Sequence, residues 1–106
     1  MTNDNLKIAQ QYYEGWETSN KELLSVATDL KFTSPDDNFS SAKEFLDQCW
    51  QFNGVVFRNK IFLSGDEYVV VKYDFPMPDG TTKPMVEWLT IKEGTITEIQ
   101  VFYDKS

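Results

Sequence analysis

The sequence predicts an α+β domain, with helices packed on one face of an antiparallel sheet. Three observations predict it. Apolar residues recur at helical spacing through the first half of the chain. They alternate at a period of two beyond Gly54, and the helical segments precede the run of long strands. At 106 residues the chain makes one domain, residues 1–106, and no repeat, low-complexity tract or linker divides it.

The first segment, residues 5–17, reads as a helix because Leu6, Ala9, Tyr13 and Trp16, with Tyr12 alongside, form one broad apolar face. Ser19-Asn20-Lys21-Glu22 has the pattern of a capping box, in which the Ser19 hydroxyl and the Glu22 carboxylate each meet the other's backbone amide. It predicts a short helix that buries Leu23 and Leu24. A strand over residues 29–34 follows, with Leu30, Phe32 and Ser34 on one face, and Pro35 ends it. Ser41-Ala42-Lys43-Glu44 is a second capping box and opens a third helix to about residue 52, with Ala42, Phe45, Leu46, Cys49 and Trp50 inward. Then the period changes. Val55, Phe57, Ile61 and Leu63 alternate with Val56, Arg58, Lys60 and Phe62; after the Ser64-Gly65-Asp66 turn, Val69, Val71, Tyr73 and Phe75 alternate with Val70, Lys72 and Asp74. Pro76-Met77-Pro78-Asp79-Gly80 is rich in turn formers, and two more strands cover about residues 82–91 and 95–103.

The last turn decides which residues of that final hairpin point inward. A two-residue loop, Glu93-Gly94, forces Glu93 to a positive φ, whereas the three-residue loop Lys92-Glu93-Gly94 asks that of glycine alone. The three-residue loop is therefore expected. It sets Ile91 opposite Thr95, Leu89 opposite Thr97, Glu87 opposite Ile99 and Met85 opposite Val101. One face then carries Met85, Leu89, Ile91, Ile99, Val101 and Tyr103, with Glu87 among them. An acid in the middle of an apolar face is the sharpest anomaly in the chain. The opposite face mixes Val86, Trp88, Ile96 and Phe102 with Thr90, Glu98 and Gln100, and this leftover apolar surface predicts a two-fold homodimer packed through the outer sheet face.

Composition narrows the function. Nine lysines and Arg58 face seventeen carboxylates, a net charge of -7, and the cations form no stripe. Nucleic acid is not an expected partner, because binding it requires clustered cations against phosphate. Without histidine there is no Ser-His or Cys-His pair and no histidine-bound zinc. Asp36, Asp37 and Asp79 offer oxygen ligands to a hard cation but follow no calcium-loop pattern, so no metal and no other cofactor is expected. The five glycines sit apart and make no phosphate loop. No apolar run approaches the ~18 residues of a membrane-spanning helix. Met1-Thr2-Asn3-Asp4-Asn5 lacks the basic start and apolar stretch of a signal peptide, and the lone Cys49 excludes an internal disulfide, so a cytoplasmic location is expected. Cys49 itself reads as an inert buried thiol.

The helix Ile8-Ala9-Gln10-Gln11-Tyr12-Tyr13-Glu14-Gly15-Trp16, the short helix ending in Leu23-Leu24, the strand and stop Leu30-Lys31-Phe32-Thr33-Ser34-Pro35, the third helix and the terminal hairpin from Trp88 to Ile99 together resemble the nuclear transport factor 2-like superfamily, in its SnoaL-like branch. The resemblance runs over nearly the whole chain and carries no catalytic signature. It implies a cone-shaped half-barrel, a curved antiparallel sheet wrapped around the amino-terminal helix and enclosing a deep pocket, and it implies a dimer. Among the ketosteroid isomerases of that superfamily, an aspartate base works with a tyrosine and a protonated aspartate as oxyanion hole. Carried over, the comparison sets Tyr12 at the oxyanion tyrosine and Glu87 at the protonated acid. The base position falls on Ser34, which cannot act as a carboxylate; Asp36 or Asp37 reaches the site only if the loop after Pro35 folds inward.

Glu87 and Tyr12 are thus the candidate catalytic residues. Trp16, Phe32, Ser34, Phe45, Trp50, Leu89, Ile99 and Tyr103 are the expected pocket wall. Three functions fit this reading: acid catalysis or enolate stabilisation on a small apolar, carbonyl-containing molecule; binding of such a molecule without turnover; and a protein-interaction module whose own rings fill the pocket.

Overall fold

A computed structural model of the chain describes residues 4–104. Met1-Thr2-Asn3, part of the segment read above for a targeting signal, lie outside the described residues. Helix α1, Asn5–Glu17, leads through a single 3-10 turn, Lys21–Leu23, to strand β1, Val26–Thr33, and the short β2, Asn38–Phe39. Helix α2, Ala42–Cys49, ends in a 3-10 turn, Trp50–Phe52. Four strands complete the chain: β3, Arg58–Ser64; β4, Tyr68–Pro76; β5, Thr82–Lys92; and β6, Thr95–Phe102. They form one open six-stranded sheet in the order β2-β1-β6-β5-β4-β3.

The α+β class and the helix-then-meander order are as the sequence predicts. One detail of the sheet differs. β1 lies parallel to β6, while the other four pairings are antiparallel, so the sheet is mixed. The parallel pair arises because the chain leaves β1 to form β2, α2 and the whole β3–β6 meander before β6 returns beside β1. The face of α1 that bears Ala9, Tyr12, Tyr13 and Trp16 packs into a core shared with Leu30, Phe45, Val69, Val71, Tyr73, Leu89, Ile91 and Ile99. Gly15 is needed where α1 meets the following turn, since a Cβ there would stand 2.8 Å from the Asn20 carbonyl oxygen and 2.8 Å from Leu24.

Three local expectations are corrected. Ser19 does not cap: it sits at φ 59° and its hydroxyl donates to Asn53 Oδ1 at 2.6 Å. Asn20 caps the 3-10 turn instead, accepting from the Glu22 amide. Half of the Ser41 box forms: the Ser41 hydroxyl accepts from the Glu44 amide at 3.1 Å, while the Glu44 carboxylate accepts from the amide of Ser40, one residue earlier than the box requires. In β3, Asn59 at φ 57° marks a register shift between Arg58 and Ile61, which reverses the alternation. Phe57 and Phe62 therefore both turn toward Tyr13, while Ile61 and Leu63 face out.

The terminal hairpin is the third. Its loop is the two-residue Glu93-Gly94, with both residues at positive φ, and Lys92 pairs with Thr95. A second irregularity, between Thr90 and Ile91, moves the register once more and sets Leu89 opposite Ile99 and Glu87 opposite Val101. Two one-residue shifts restore the original parity, so Glu87, Leu89, Ile99 and Val101 still share the inner face. Ile96, assigned above to the outer face, pairs with Ile91 between the two shifts and is fully buried.

Candidate functional site

The sheet curves around α1 and leaves a cavity of about 300 Å³ between the helix, the inner strand faces and α2. Its walls are largely rings: Tyr12 and Trp16 from α1, Phe32 from β1, Phe45 from α2, Phe57 ahead of β3, Tyr73 and Phe75 from β4, and Tyr103 after β6. Cys49, Val55, Met85 and Val101 fill the gaps between them. Glu87 lies in the buried part, Asp36 and Asp37 at the exposed end, and neither lysine nor arginine lines the space.

Glu87 is 7% exposed, the one buried charged residue among those described. Strand pairing puts it between Val71 on β4 and Val101 on β6. Tyr73 follows Val71 by two residues on β4 and so projects from the same face, one step along. Its hydroxyl donates to Glu87 Oε2. From the opposite direction, Tyr13 of α1 donates to Oε1 at 2.9 Å. Edge-to-face packing fixes the clamp, with Phe57 5.1 Å from the Tyr13 ring and 4.9 Å from the Tyr73 ring. Among the described residues, no buried side-chain nitrogen or oxygen lacks a hydrogen-bond partner.

Burial dominates the electrostatics. Loss of water raises the Glu87 carboxyl above its ordinary range, and the bonds from Tyr73 and Tyr13 offset that only in part. Both tyrosines are pushed up as well, first by burial and then by the nearby Glu87 charge, so they remain protonated donors. Tyr12 is raised for the same two reasons, and the neighbouring Trp16 indole offsets them only in part. The Cys49 thiol is pushed up to about 11, chiefly by burial and then by the charges of Asp37 and Glu87, which keeps it un-ionised and inert.

At the exposed end the chain folds inward after Pro35. The Ser34 hydroxyl accepts from the amides of Asp36 and Asp37, at 3.3 Å and 3.0 Å, and the Ser34 amide donates to the Asp37 carbonyl at 2.8 Å. This tight turn brings Asp36 and Asp37 to the cavity, where the Tyr103 hydroxyl donates to Asp36. Ser34 is thus a turn former, and its turn holds Asp36 and Asp37, both exposed, at the rim of the cavity. Asp79 lies apart, in the β4–β5 turn, where the Thr81 amide and hydroxyl both donate to its carboxylate and lower its pKa. Among the described residues no group of three or more His, Cys, Asp or Glu is placed to hold a metal ion. No helix there is long and apolar enough to cross a membrane.

Of the residues singled out in the sequence, Glu87, Tyr12, Trp16, Phe32, Ser34, Phe45 and Tyr103 line the cavity. Trp50, Leu89 and Ile99 do not. Trp50 backs the wall, its ring 4.9 Å from that of Trp16 and under the Lys21 ammonium. Leu89 and Ile99 face each other across β5 and β6 and are fully buried in the core. The partners of Glu87 are Tyr13 and Tyr73, which sequence reasoning missed. Tyr73 was within reach of it: a five-residue β4–β5 turn, residues 77–81, places Val71 beside Glu87 and Tyr73 diagonal to it.

No family model matches the sequence, and no curated protein matches it. Solved structures do. An NTF2-like protein of unknown function from Cytophaga hutchinsonii superposes with a TM-score of 0.82 at 14% identity, over 98% of this chain and 93% of that one. A candidate polyketide cyclase from Xanthomonas campestris gives 0.80 at 14% identity, over 94% and 90%. TerC, co-crystallised with polyporic acid, gives 0.70 at 20% identity, over 94% and 91%. The chain has the nuclear transport factor 2-like fold.

Proposed function

We propose that this protein binds a small, apolar, carbonyl-containing molecule in the aromatic cavity, with the Glu87 network donating a hydrogen bond to the carbonyl oxygen. One observation carries the reading: a buried carboxyl, held by two tyrosines and matched by no cation, faces a cavity walled by rings. When Glu87 is ionised, both tyrosine protons point at it and no donor is left over. When it is protonated, Tyr13 still donates to Oε1, the acid proton goes to Tyr73 Oη, and the Tyr73 hydroxyl is released toward the cavity that it lines. Desolvation favours this neutral form, which polarises a carbonyl and stabilises an enol or enolate. Tyr12 is a second hydroxyl on the same cavity and the next candidate donor. The polyketide cyclase assignment and the polyporic acid complex of fold neighbours support a ligand of this class.

Enolisation also needs a base, and Asp36 and Asp37 at the rim are the available carboxylates. Binding without turnover is the second reading, favoured because the Asp36 carboxylate is already engaged by Tyr103. Exchange of the ketone's α-hydrogens in deuterated water separates the two. The outer face of the sheet, in this reading, belongs to a second copy of the chain.

The test is the pH dependence of binding of 2-acetylnaphthalene. Affinity is expected to fall as pH rises through the raised Glu87 pKa, because ionisation withdraws the Tyr73 proton. In Glu87→Gln the amide mimics the protonated acid, so binding persists and loses its pH dependence. Tyr73→Phe is expected to weaken binding about two- to tenfold, the loss of about one hydrogen bond. Equal binding by wild type and Tyr73→Phe at every pH would falsify the assignment.

A further inference from the structure

The outer rings of the cavity have a second side. A second hollow of about 420 Å³ lies beside it and shares three walls with it: Phe52, Val55 and Phe75. Its far side is Pro76, at the end of β4, with Met77 and Pro78 of the turn that follows. Phe52 stands at the junction, 50% exposed, with its ring edge-on to Phe75 at 6.3 Å. None of the hollow's lining residues is charged.

Its main-chain donors are also spent. The amides of Asn53, Gly54 and Val55 donate to the carbonyls of Trp50, Trp16 and Phe52, and the Met77 amide donates to Thr81. Pro76 and Pro78 have no N–H to offer. The Asn53 side chain accepts from Ser19 and donates to the Trp50 carbonyl. A peptide strand docking here would therefore find no main-chain donors at these positions, whereas a hydrocarbon requires none.

We propose that this hollow is a subsite for a straight alkyl or acyl chain on the ligand whose carbonyl meets Glu87, so that the full ligand is a carbonyl-bearing ring with an aliphatic tail. The proposal rests on the carbonyl reading above and adds to it a direction of exit. The inner chamber is at the small end of ligand pockets, which run from about 300 to 1,000 Å³. The half-exposed Phe52 ring closes the junction edge-on against Phe75, so a tail enters as that ring turns outward, and it then extends the buried length without displacing the head from Glu87. The groove ends in prolines and a methionine, a wall of the kind that adapts to a flexible chain.

The experiment measures binding of 2-acetylnaphthalene and its 6-propyl, 6-hexyl and 6-nonyl derivatives by titration calorimetry. Affinity is expected to rise about fourfold per methylene that enters the groove and then to level off. Met77→Asp, on the turn and outside the inner chamber, is expected to erase most of that gain while leaving the parent ketone's affinity unchanged. Phe52→Ser should reduce the gain by a smaller factor. If the parent binds but the alkyl series shows no gain, or if Met77→Asp weakens parent and derivatives alike, the subsite is refuted. If the gain disappears as protein concentration rises, a second copy occupies the groove and the proposal fails. If the parent itself does not bind, the carbonyl reading fails and the subsite falls with it.

Discussion

Glu87 costs the fold stability when it is charged, and the pH window of that cost follows from its shift. Its native pKa is raised, while in the unfolded chain it stays near the ordinary ~4.3. Below ~4.3 both states are protonated and there is no cost. Between ~4.3 and the native value the unfolded state holds fewer protons, so stability falls as pH rises, and above the native value the loss is complete. Glu87→Gln is therefore expected to be more stable than wild type at neutral pH, with the advantage shrinking as pH is lowered toward 4; urea titrations at a series of pH values measure it. The opposite sign belongs to the clamp. Tyr13→Phe strips a hydrogen bond from a buried carboxyl and is expected to cost about 1.5–3 kcal/mol at neutral pH. If Glu87→Gln proves less stable than wild type across the whole range, the acid is better satisfied as a carboxylate than its burial implies. At this scale the sequence revealed the anomaly but not its partners. An acid flanked by Met85 and Leu89 is visible in a period-two pattern, whereas Tyr13 reads as one more apolar residue on α1, and only the angle between helix and sheet aims its hydroxyl at position 87.

At the scale of elements, local signals were reliable where they closed on themselves and unreliable where distant packing intervened. The Ser41 cap closes within its own few residues, Ser41 on the Glu44 amide and Glu44 on the Ser40 amide, and the helix starts there. The Ser19 box has the same letters, but Ser19 is drawn to Asn53, thirty-four residues away, and Asn20 takes over the cap. The terminal hairpin shows the other kind of miss. Steric reasoning rejected a positive φ at Glu93; the sheet accepts that strain and corrects the register with an irregularity two pairs beyond the turn. Inner and outer faces survived because two single-residue shifts cancel in parity, and Ile96, caught between them, did not follow. Gly15 offers a test of packing against propensity. Alanine is the better helix former by about 1 kcal/mol. Its methyl, however, would press on the Asn20 carbonyl, part of a backbone whose Asn20 amide is bonded to the Gly15 carbonyl at 2.8 Å. Overpacking of that kind costs roughly 1–3 kcal/mol. Gly15→Ala is expected to lower the melting temperature, and a rise would show that the turn relaxes freely.

For the molecule as a whole, the two faces of the sheet divide the work. The inner face and α1 enclose the cavity, and the outer face presents two cross-strand rows. One runs Leu63, Val70, Trp88 and Gln100; the other runs Ile61, Lys72, Val86 and Phe102. Leu63 is 67% exposed, Ile61 56% and Phe102 52%, and Tyr68 stacks on Trp88 at 4.7 Å. A surface this apolar, on a chain of net charge -7, is unusual for a monomer. Lys72 sits within the rows, with Glu98 on the same face, so a two-fold arrangement offers the cation of one copy to the Glu98 carboxylate of the other. The protein is therefore expected to sediment as a dimer at micromolar concentration. Trp88 sits centrally on this face, and large aromatics at interface centres commonly carry 2 kcal/mol or more. Trp88→Glu is accordingly expected to weaken association at least thirtyfold and to yield a folded monomer. Because Trp88 points away from the cavity, that monomer should bind 2-acetylnaphthalene as the wild type does. Should the substitution abolish ligand binding while the circular dichroism stays native, the two faces are coupled through the sheet and the pocket depends on its dimer.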